Sequence, residues 1–126
     1  MIRKLSLLLL LLAVSLCMSS AAFAQKGTVL RVVIVKTENV QAYLDQLDKG
    51  TEVMKKLGVE RQIRVWQATF AGPETGTVVA AIEYPSMSAY SADSEKLLAS
   101  KEYLAWLHAT DALRTIVSDS LYKELR

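Results

Sequence analysis

The sequence is poor in the residue types that build covalent and metal-bound sites. It has one cysteine, Cys17, and one histidine, His108, among 126 residues. Because Cys17 lies in a segment that we predict to be removed, we expect no disulfide, thiol nucleophile or thiolate metal site in the remaining chain. An ordinary metal site needs several histidine, cysteine or carboxylate ligands, so His108 alone does not predict one. We therefore expect no metal and no resident cofactor.

An excess of charge of one sign is also missing. The chain has 15 Lys and Arg against 13 Asp and Glu. Two of the basic residues, Arg3 and Lys4, precede Ala24, whereas all the acidic residues follow it. The chain after Ala24 is therefore neutral. It lacks the excess positive charge that proteins use to bind nucleic acid or an acidic membrane surface. We expect neither of them as a partner.

The first 24 residues have the three-part order of a secretory signal peptide. Arg3 and Lys4 form a positive start, an apolar run follows from Leu5 to Leu16, and the small residues of Ala22–Ala24 predict cleavage before Gln25. The apolar run is much shorter than the ~20 residues that a bilayer-spanning helix needs. The order therefore predicts a periplasmic or secreted protein.

A lipoprotein signal is the alternative at the same end of the chain. Val14–Cys17 resembles a lipobox, but Leu16 stands where such boxes have a small residue. Ordinary cleavage is therefore favoured, with a signal peptide over 1–24. Residues 25–126 have the length of a single small domain.

Hydrophobic patterning predicts a ferredoxin-like α+β domain. β-branched runs indicate strands, helical spacing of apolar residues indicates helices, and the glycines and proline of 71–76 indicate a hairpin turn. Gly50, about 1 kcal/mol worse than alanine inside a helix, predicts a kink. The β-α-β-β-α-β order is that of a four-stranded antiparallel sheet with its helices on one face. The predicted elements are a strand Thr28–Thr37, a helix Val40–Leu57, strands Arg61–Ala71 and Thr77–Tyr84, a helical region 86–113 with a new N-cap at Ser100, and a strand Thr115–Leu125.

The predicted first strand is apolar on both sides, which implies a cover on both faces of the sheet. The helices can cover only one face, so a second copy of the chain is the simplest cover for the other. Side chains in the predicted hairpin strands alternate between two faces, and each face carries its own set. The set with bulky side chains is expected to pack against the helices, and the set of mixed character is expected to face the second copy. The bulky set is Trp66, Phe70, Ile82 and Tyr84; the mixed set is Val65, Gln67, Thr69, Val79, Ala81 and Glu83.

Charged residues inside strands supply the first site hypothesis. Arg31 and Glu83 fall on neighbouring strands of this topology, and we expect both on the partner-facing side as an ion pair. The pair is either structural or part of a ligand cavity, with Gln67 and Thr69 as polar neighbours. The aromatic residues could line a pocket for a flat ligand, although their spacing is more typical of a core: Trp66, Phe70, Tyr84, Tyr90 and Trp106.

Three segments give the chain a family resemblance. The hairpin AGPETGT, the strand-to-helix junction EYPSMSAY and the closing strand VSDSLYKEL resemble small bacterial proteins of the dimeric α/β-barrel superfamily. Within it, the chain is similar to the NIPSNAP-like and antibiotic-biosynthesis-monooxygenase-like branches. The resemblance implies a homodimer in which two sheets face each other as a barrel. Members include cofactor-free oxygenases, haem-degrading enzymes and isomerases, so the fold alone transfers no activity.

Three functions remain open on this basis. The first is an exported homodimer that binds a small molecule, or that only dimerises, and is not an enzyme. The second is a cofactor-independent monooxygenase of an aromatic or quinone-like substrate. The third is haem binding or degradation, with His108 as a weak candidate ligand. The haem-degrading branch uses an Asn, a Trp and a His, but Asn39, Trp66 and His108 do not match its placement.

Overall fold

The computed structural model describes residues 27–126. The predicted signal peptide, 1–24, and its cleavage site lie outside the described residues.

Four strands form one antiparallel sheet in the order β2-β3-β1-β4, with the helices on one face, which confirms the predicted ferredoxin-like α+β fold. The elements are β1 (Val29–Lys36), α1 (Val40–Lys56), β2 (Ile63–Gln67), β3 (Val78–Tyr84), α2 (Met87–Leu98), α3 (Lys101–Asp111) and β4 (Thr115–Lys123), with a 3-10 turn at Gly72–Glu74 between β2 and β3.

Each helix begins at a polar N-cap residue. The side chain of Asn39 accepts a hydrogen bond from the backbone N–H of Ala42 at 3.0 Å. Ser86 caps α2 in the same way, and Ser100 accepts from the N–H of Tyr103 at 3.2 Å. These bonds satisfy backbone donors that have no partner within the helix. The predicted break of the second helical region at Ser100 is therefore confirmed.

The two faces of the sheet have different surroundings. On β1, Val33 and Val35 pack with Tyr43 and Leu47 of α1 in the main core. The alternate residues of β1, Leu30, Val32 and Ile34, lie on the face that no helix covers, hereafter the open face, where they are half-buried. β1 is therefore apolar on both sides, as its sequence predicts.

The predicted facing of β2 is wrong. Ile63 lies opposite Ile82 and Val65 opposite Ala80, and both β2 residues pack against the core. Trp66, the next residue after Val65, therefore lies on the open face and is 51% exposed.

The position predicted for Phe70 is also wrong. β2 ends at Gln67, so Phe70 is in the loop before the 3-10 turn and is 99% exposed. Side-chain size suggested that Trp66 and Phe70 are core residues, but the facing is set by strand register and by where the strand ends.

Gly50 lies where α1 meets α3. A Cβ atom at this position would overlap the indole ring of Trp106. The same indole donates a hydrogen bond from Nε1 to the backbone oxygen of Gln46 at 2.7 Å. The glycine therefore makes room for a close helix–helix contact within a continuous α1, a role that its sequence position alone does not reveal.

Within residues 27–126, no helix combines the length and the apolar character that crossing a bilayer requires.

Candidate functional site

A cavity of about 70 Å³ lies between the sheet and helices α1 and α3. Its walls are mostly apolar, and several polar side chains converge on it. It is smaller than the roughly 300–1,000 Å³ of sites for drug-sized ligands. As it stands it therefore admits only a small group. Its lining residues are Arg31, Val33, Tyr43, Leu47, Met54, Ile63, Ala80, Ile82, Tyr103, Trp106, Leu107, Arg114 and Asp119.

A two-bond ion pair forms one polar wall of the cavity. Asp119 on β4 lies opposite Val33 of β1, which places its side chain on the helix side with Arg31. Arg31 donates from Nε to Oδ1 at 3.0 Å and from Nη2 to Oδ2 at 2.7 Å. Paired in this way, the guanidinium and the carboxylate each stabilise the other's charged form. The hydrogen bond raises the pKa of Arg31 above its usual range and lowers the pKa of Asp119 below its usual value.

A second arginine and two phenols complete the polar groups. The Nη1 atom of Arg114 lies 3.4 Å from the Tyr43 hydroxyl. Burial opposes the charge on Arg114, but its hydrogen bonds to Tyr43 and Asp111 raise its pKa overall. Burial raises the pKa of Tyr103, and the nearby charges of Arg31 and Arg114 partly oppose that rise. Tyr103 is therefore a neutral hydroxyl that can donate and accept hydrogen bonds at neutral pH.

This arrangement suits the binding of a small polar group by a largely apolar pocket. Two paired arginines offer N–H donors, Tyr43 and Tyr103 offer hydroxyls, and apolar side chains beside them can contact the apolar part of a ligand. Within residues 27–126, no three His, Cys, Asp or Glu side chains come together in a way that could hold a metal ion.

The predicted ion pair between Arg31 and Glu83 is wrong. Glu83 lies opposite Leu30 in the β1–β3 register, so its side chain is on the open face while Arg31 is on the helix side. There Glu83 pairs with Arg64 at 3.4 Å. Side chains at adjacent positions of a strand point to opposite faces of the sheet. Two charges on neighbouring strands can therefore lie on opposite faces, as these two do.

The four predicted ligand-cavity residues do not share one site. Arg31 lines the cavity, and Glu83 lies on the open face. Gln67 is exposed at the end of β2, and Thr69 is exposed in the following loop. A ligand role for these four residues stays a prediction.

The residues weighed for haem lie apart. His108 is exposed on α3 and does not line the cavity. Asn39 uses its side chain to cap α1, and Trp66 lies on the opposite face of the sheet from the helical layer. Haem binding stays an untested hypothesis.

Sequence reasoning missed four polar residues of the cavity: Tyr43, Tyr103, Arg114 and Asp119. One signal was present for Tyr43, because positions 40, 43, 47, 50 and 54 continue the apolar stripe of α1 at helical spacing. Asp119 stands inside a strand, where a charge needs a partner. Finding that partner required the β1–β4 register, which includes a shift between Ile34 and Val35.

Comparisons with solved structures find the same fold in proteins of distant sequence. A variant of SnoaB, a cofactor-independent oxygenase from Streptomyces nogalater, matches with a TM-score of 0.58 and 14% identity, over 79% of this chain and 94% of that one. A NIPSNAP family protein from Agrobacterium tumefaciens matches with a TM-score of 0.56 and 14% identity, over 78% and 91%.

An uncharacterised NIPSNAP domain protein from Burkholderia xenovorans matches with a TM-score of 0.58 and 16% identity, over 79% of this chain and 93% of that one. No family model matches the sequence, and no curated protein is significantly similar to it. The chain therefore shares the ferredoxin-like fold of SnoaB and of these NIPSNAP proteins, which the sequence resemblance predicts. At sequence identities this low, the similarity to these proteins extends to the fold and not to their activities.

Proposed function

We propose that this protein is an exported homodimer that binds a small molecule in the cavity between its sheet and its helices. The observation that carries the proposal is the convergence of Arg31, Arg114, Tyr43 and Tyr103 on one apolar space. Each arginine is already held by a carboxylate, so its remaining N–H groups and the two hydroxyls are in position before a ligand binds. A ligand with one polar end and an apolar body would satisfy both kinds of wall.

Native mass spectrometry of the protein purified from its own envelope compartment tests this proposal. The expected result is a dimer that carries a stoichiometric adduct, and the chain mass locates the cleavage site. Leu107→Trp should fill the cavity and remove the adduct, whereas Leu104→Trp on the exposed side of the same helix should keep it. An adduct that survives Leu107→Trp would place binding elsewhere and overturn the proposal.

The second copy is proposed to cover the open face. Leu30, Val32 and Ile34 are half-buried there, and Trp66 and Tyr122 are more than half exposed. An apolar sheet face of this kind is typical of an interface. Two such faces can meet by two-fold symmetry.

A single charge at the centre of the open face tests the dimer. Val32 lies between Ala81 and Ser120 of the flanking strands, so Val32→Lys should give a folded monomer by size-exclusion chromatography with light scattering. Gln41→Lys, on the exposed side of α1, is the matched control and should stay dimeric. A wild-type monomer at micromolar concentration would refute the dimer.

Cofactor-independent oxygenation is the second candidate function. The fold likeness to SnoaB favours it, and so does the presence of Trp106 and Tyr103 beside Arg31 in the cavity. An aromatic or quinone-like substrate that supplies its own electrons would need orientation and exclusion of water more than a cofactor. Oxygen uptake with hydroquinone, a single-ring electron-rich probe, tests it: uptake above the buffer rate that Leu107→Trp abolishes would support it. Uptake equal to that of buffer would leave binding as the function.

A further inference from the structure

A polar cleft of about 550 Å³ adjoins the cavity. It is formed by the end of β1, the start of α1 and the connection between α3 and β4. Its charged lining residues are Lys36, Glu38 and Arg114, two cations against one carboxylate. Its volume falls within the roughly 300–1,000 Å³ typical of small-molecule sites, whereas that of the cavity does not.

Arg114 lines both spaces and therefore forms the wall between them. Its side chain is only 9% exposed, although the residue lies in a surface connection. The connection itself is held in place, because the Thr37 hydroxyl donates to the backbone oxygen of Leu113 at 2.7 Å. A displacement of the Arg114 side chain would thus open the cavity to the cleft without moving the backbone.

The guanidinium of Arg114 is paired with Asp111, but only one carboxylate oxygen accepts from its Nε and Nη2 atoms. Its Nε and Nη2 atoms both donate to the same oxygen, Oδ1 of Asp111, at 3.1 and 2.9 Å. A fully matched carboxylate places one oxygen opposite each nitrogen, as Asp119 does for Arg31. Asp111 is 53% exposed, so water can solvate it when it loses the arginine. A ligand carboxylate could therefore replace Asp111 with better geometry.

We propose that Arg114 is both the gate of the cavity and the group that binds the ligand, and that the ligand is a small carboxylic acid. The acid enters through the cleft, where Lys36 adds positive charge. Its carboxylate takes the guanidinium of Arg114 from Asp111, and its apolar body lies against the cavity walls. This inference rests on the proposed small-molecule function and names the chemical class of the ligand.

Two matched pairs of probes test the inference: isovalerate with isovaleramide, and benzoate with benzamide. Titrations of the full-length mature protein at pH 7 would follow the indole N–H signal of Trp106 by NMR. The acids should bind at least about tenfold more tightly than their amides, the margin that a charge-assisted pair supplies.

Variants of the gate should move acid binding in opposite directions. Arg114→Met should lower acid affinity to the level of the amides, and Arg114→Lys should lower it while keeping the charge. Asp111→Asn removes the competing carboxylate and should raise acid affinity, which a purely structural arginine would not do. Lys49→Met on the exposed side of α1 also removes one positive charge; it is the control and should leave acid affinity unchanged.

The outcomes separate the two proposals. Amides that bind as tightly as acids, or an Arg114→Lys variant with full acid affinity, would overturn the role of Arg114 while leaving the binding function standing. Failure of all four probes, together with a protein that carries no adduct, would overturn the binding function itself and this inference with it.

Discussion

At the scale of single residues, Asp119 fixes the orientation of the Arg31 guanidinium at the cavity wall. The two-bond pair holds the guanidinium against the sheet wall, and it joins the central strand β1 to the edge strand β4. Both side chains keep about a third of their surface exposed. Solvent screening therefore limits what the pair adds to stability, and orientation of Arg31 is its larger effect.

The stabilisation by the Arg31–Asp119 pair should be complete above about pH 4 and should decrease progressively below it. The folded-state pKa of Asp119 is lowered, so its contribution is present above the unfolded value of about 3.9 and is lost as pH falls through the folded value. Asp119→Asn should reduce the free energy of unfolding by up to about 1 kcal/mol at pH 7 and by almost nothing near pH 2.

Urea denaturation at pH 7 and near pH 2 measures this effect. Asp48→Asn on the exposed side of α1 is the control and should show little change at either pH. An equal loss for Asp119→Asn at both pH values would mean that packing, not charge, explains the contribution of this residue.

At the scale of elements, the contact between α1 and α3 depends on one missing methyl group. In an open helix, Gly50→Ala would stabilise by up to about 1 kcal/mol. Here the added Cβ meets the Trp106 ring, and overpacking of this kind costs about 1–3 kcal/mol. We therefore expect Gly50→Ala to lower the thermal midpoint, as measured by circular dichroism.

Two variants check the cause of that loss. Lys49→Ala, one residue earlier on the exposed side of α1, should leave the midpoint nearly unchanged. Trp106→Phe loses a hydrogen bond of its own, but Gly50→Ala should cost less in that background than in the wild type, because the smaller ring leaves room for the methyl group. A more stable Gly50→Ala protein would contradict the assigned role of this glycine.

The elements were largely predictable because their signals are local. The helix predicted over Val40–Leu57 is observed as Val40–Lys56, and the N-cap at Ser100 is where its sequence places it. β2 was predicted to run to Ala71 but ends at Gln67. The backbone of 68–77 instead closes a compact loop, in which the N–H of Gly76 donates to the oxygen of Ala68 at 2.7 Å.

The candidate site was less predictable because it depends on register and on distant pairs. Arg31 was singled out correctly as a charge inside a strand, but its partner is Asp119 and not Glu83. Arg31 can pair only with a carboxylate on its own face of the sheet. The strand register places Asp119 on that face and Glu83 on the opposite one. The pattern of a single strand does not contain that information.

At the scale of the whole molecule, the proposed dimer should make stability depend on concentration. Unfolding of a dimer separates two chains, so a tenfold increase in protein concentration stabilises the folded state by about 1.4 kcal/mol. At roughly 2–4 °C per kcal/mol for a folded unit of 150–250 residues, that corresponds to a rise of about 3–6 °C in thermal midpoint. Differential scanning calorimetry over a hundredfold range of concentration measures it.

The monomeric control for this experiment is Val32→Lys, whose midpoint should not change with concentration. If the wild-type midpoint is equally constant, the protein unfolds as a monomer. The open face would then be an apolar surface that the folded chain leaves exposed to water.

The position of β1 in the sheet also decides when the chain can fold during synthesis. β1 is the first strand in the sequence, yet its two neighbours are β3 and β4, and its β4 partners lie at Thr115–Lys123. One side of the central strand thus stays unpaired until residues 115–123 have left the ribosome. Pairing between such distant segments is slow to form. A nascent chain of this topology therefore completes its sheet only late in synthesis, after both helical regions and the hairpin have formed.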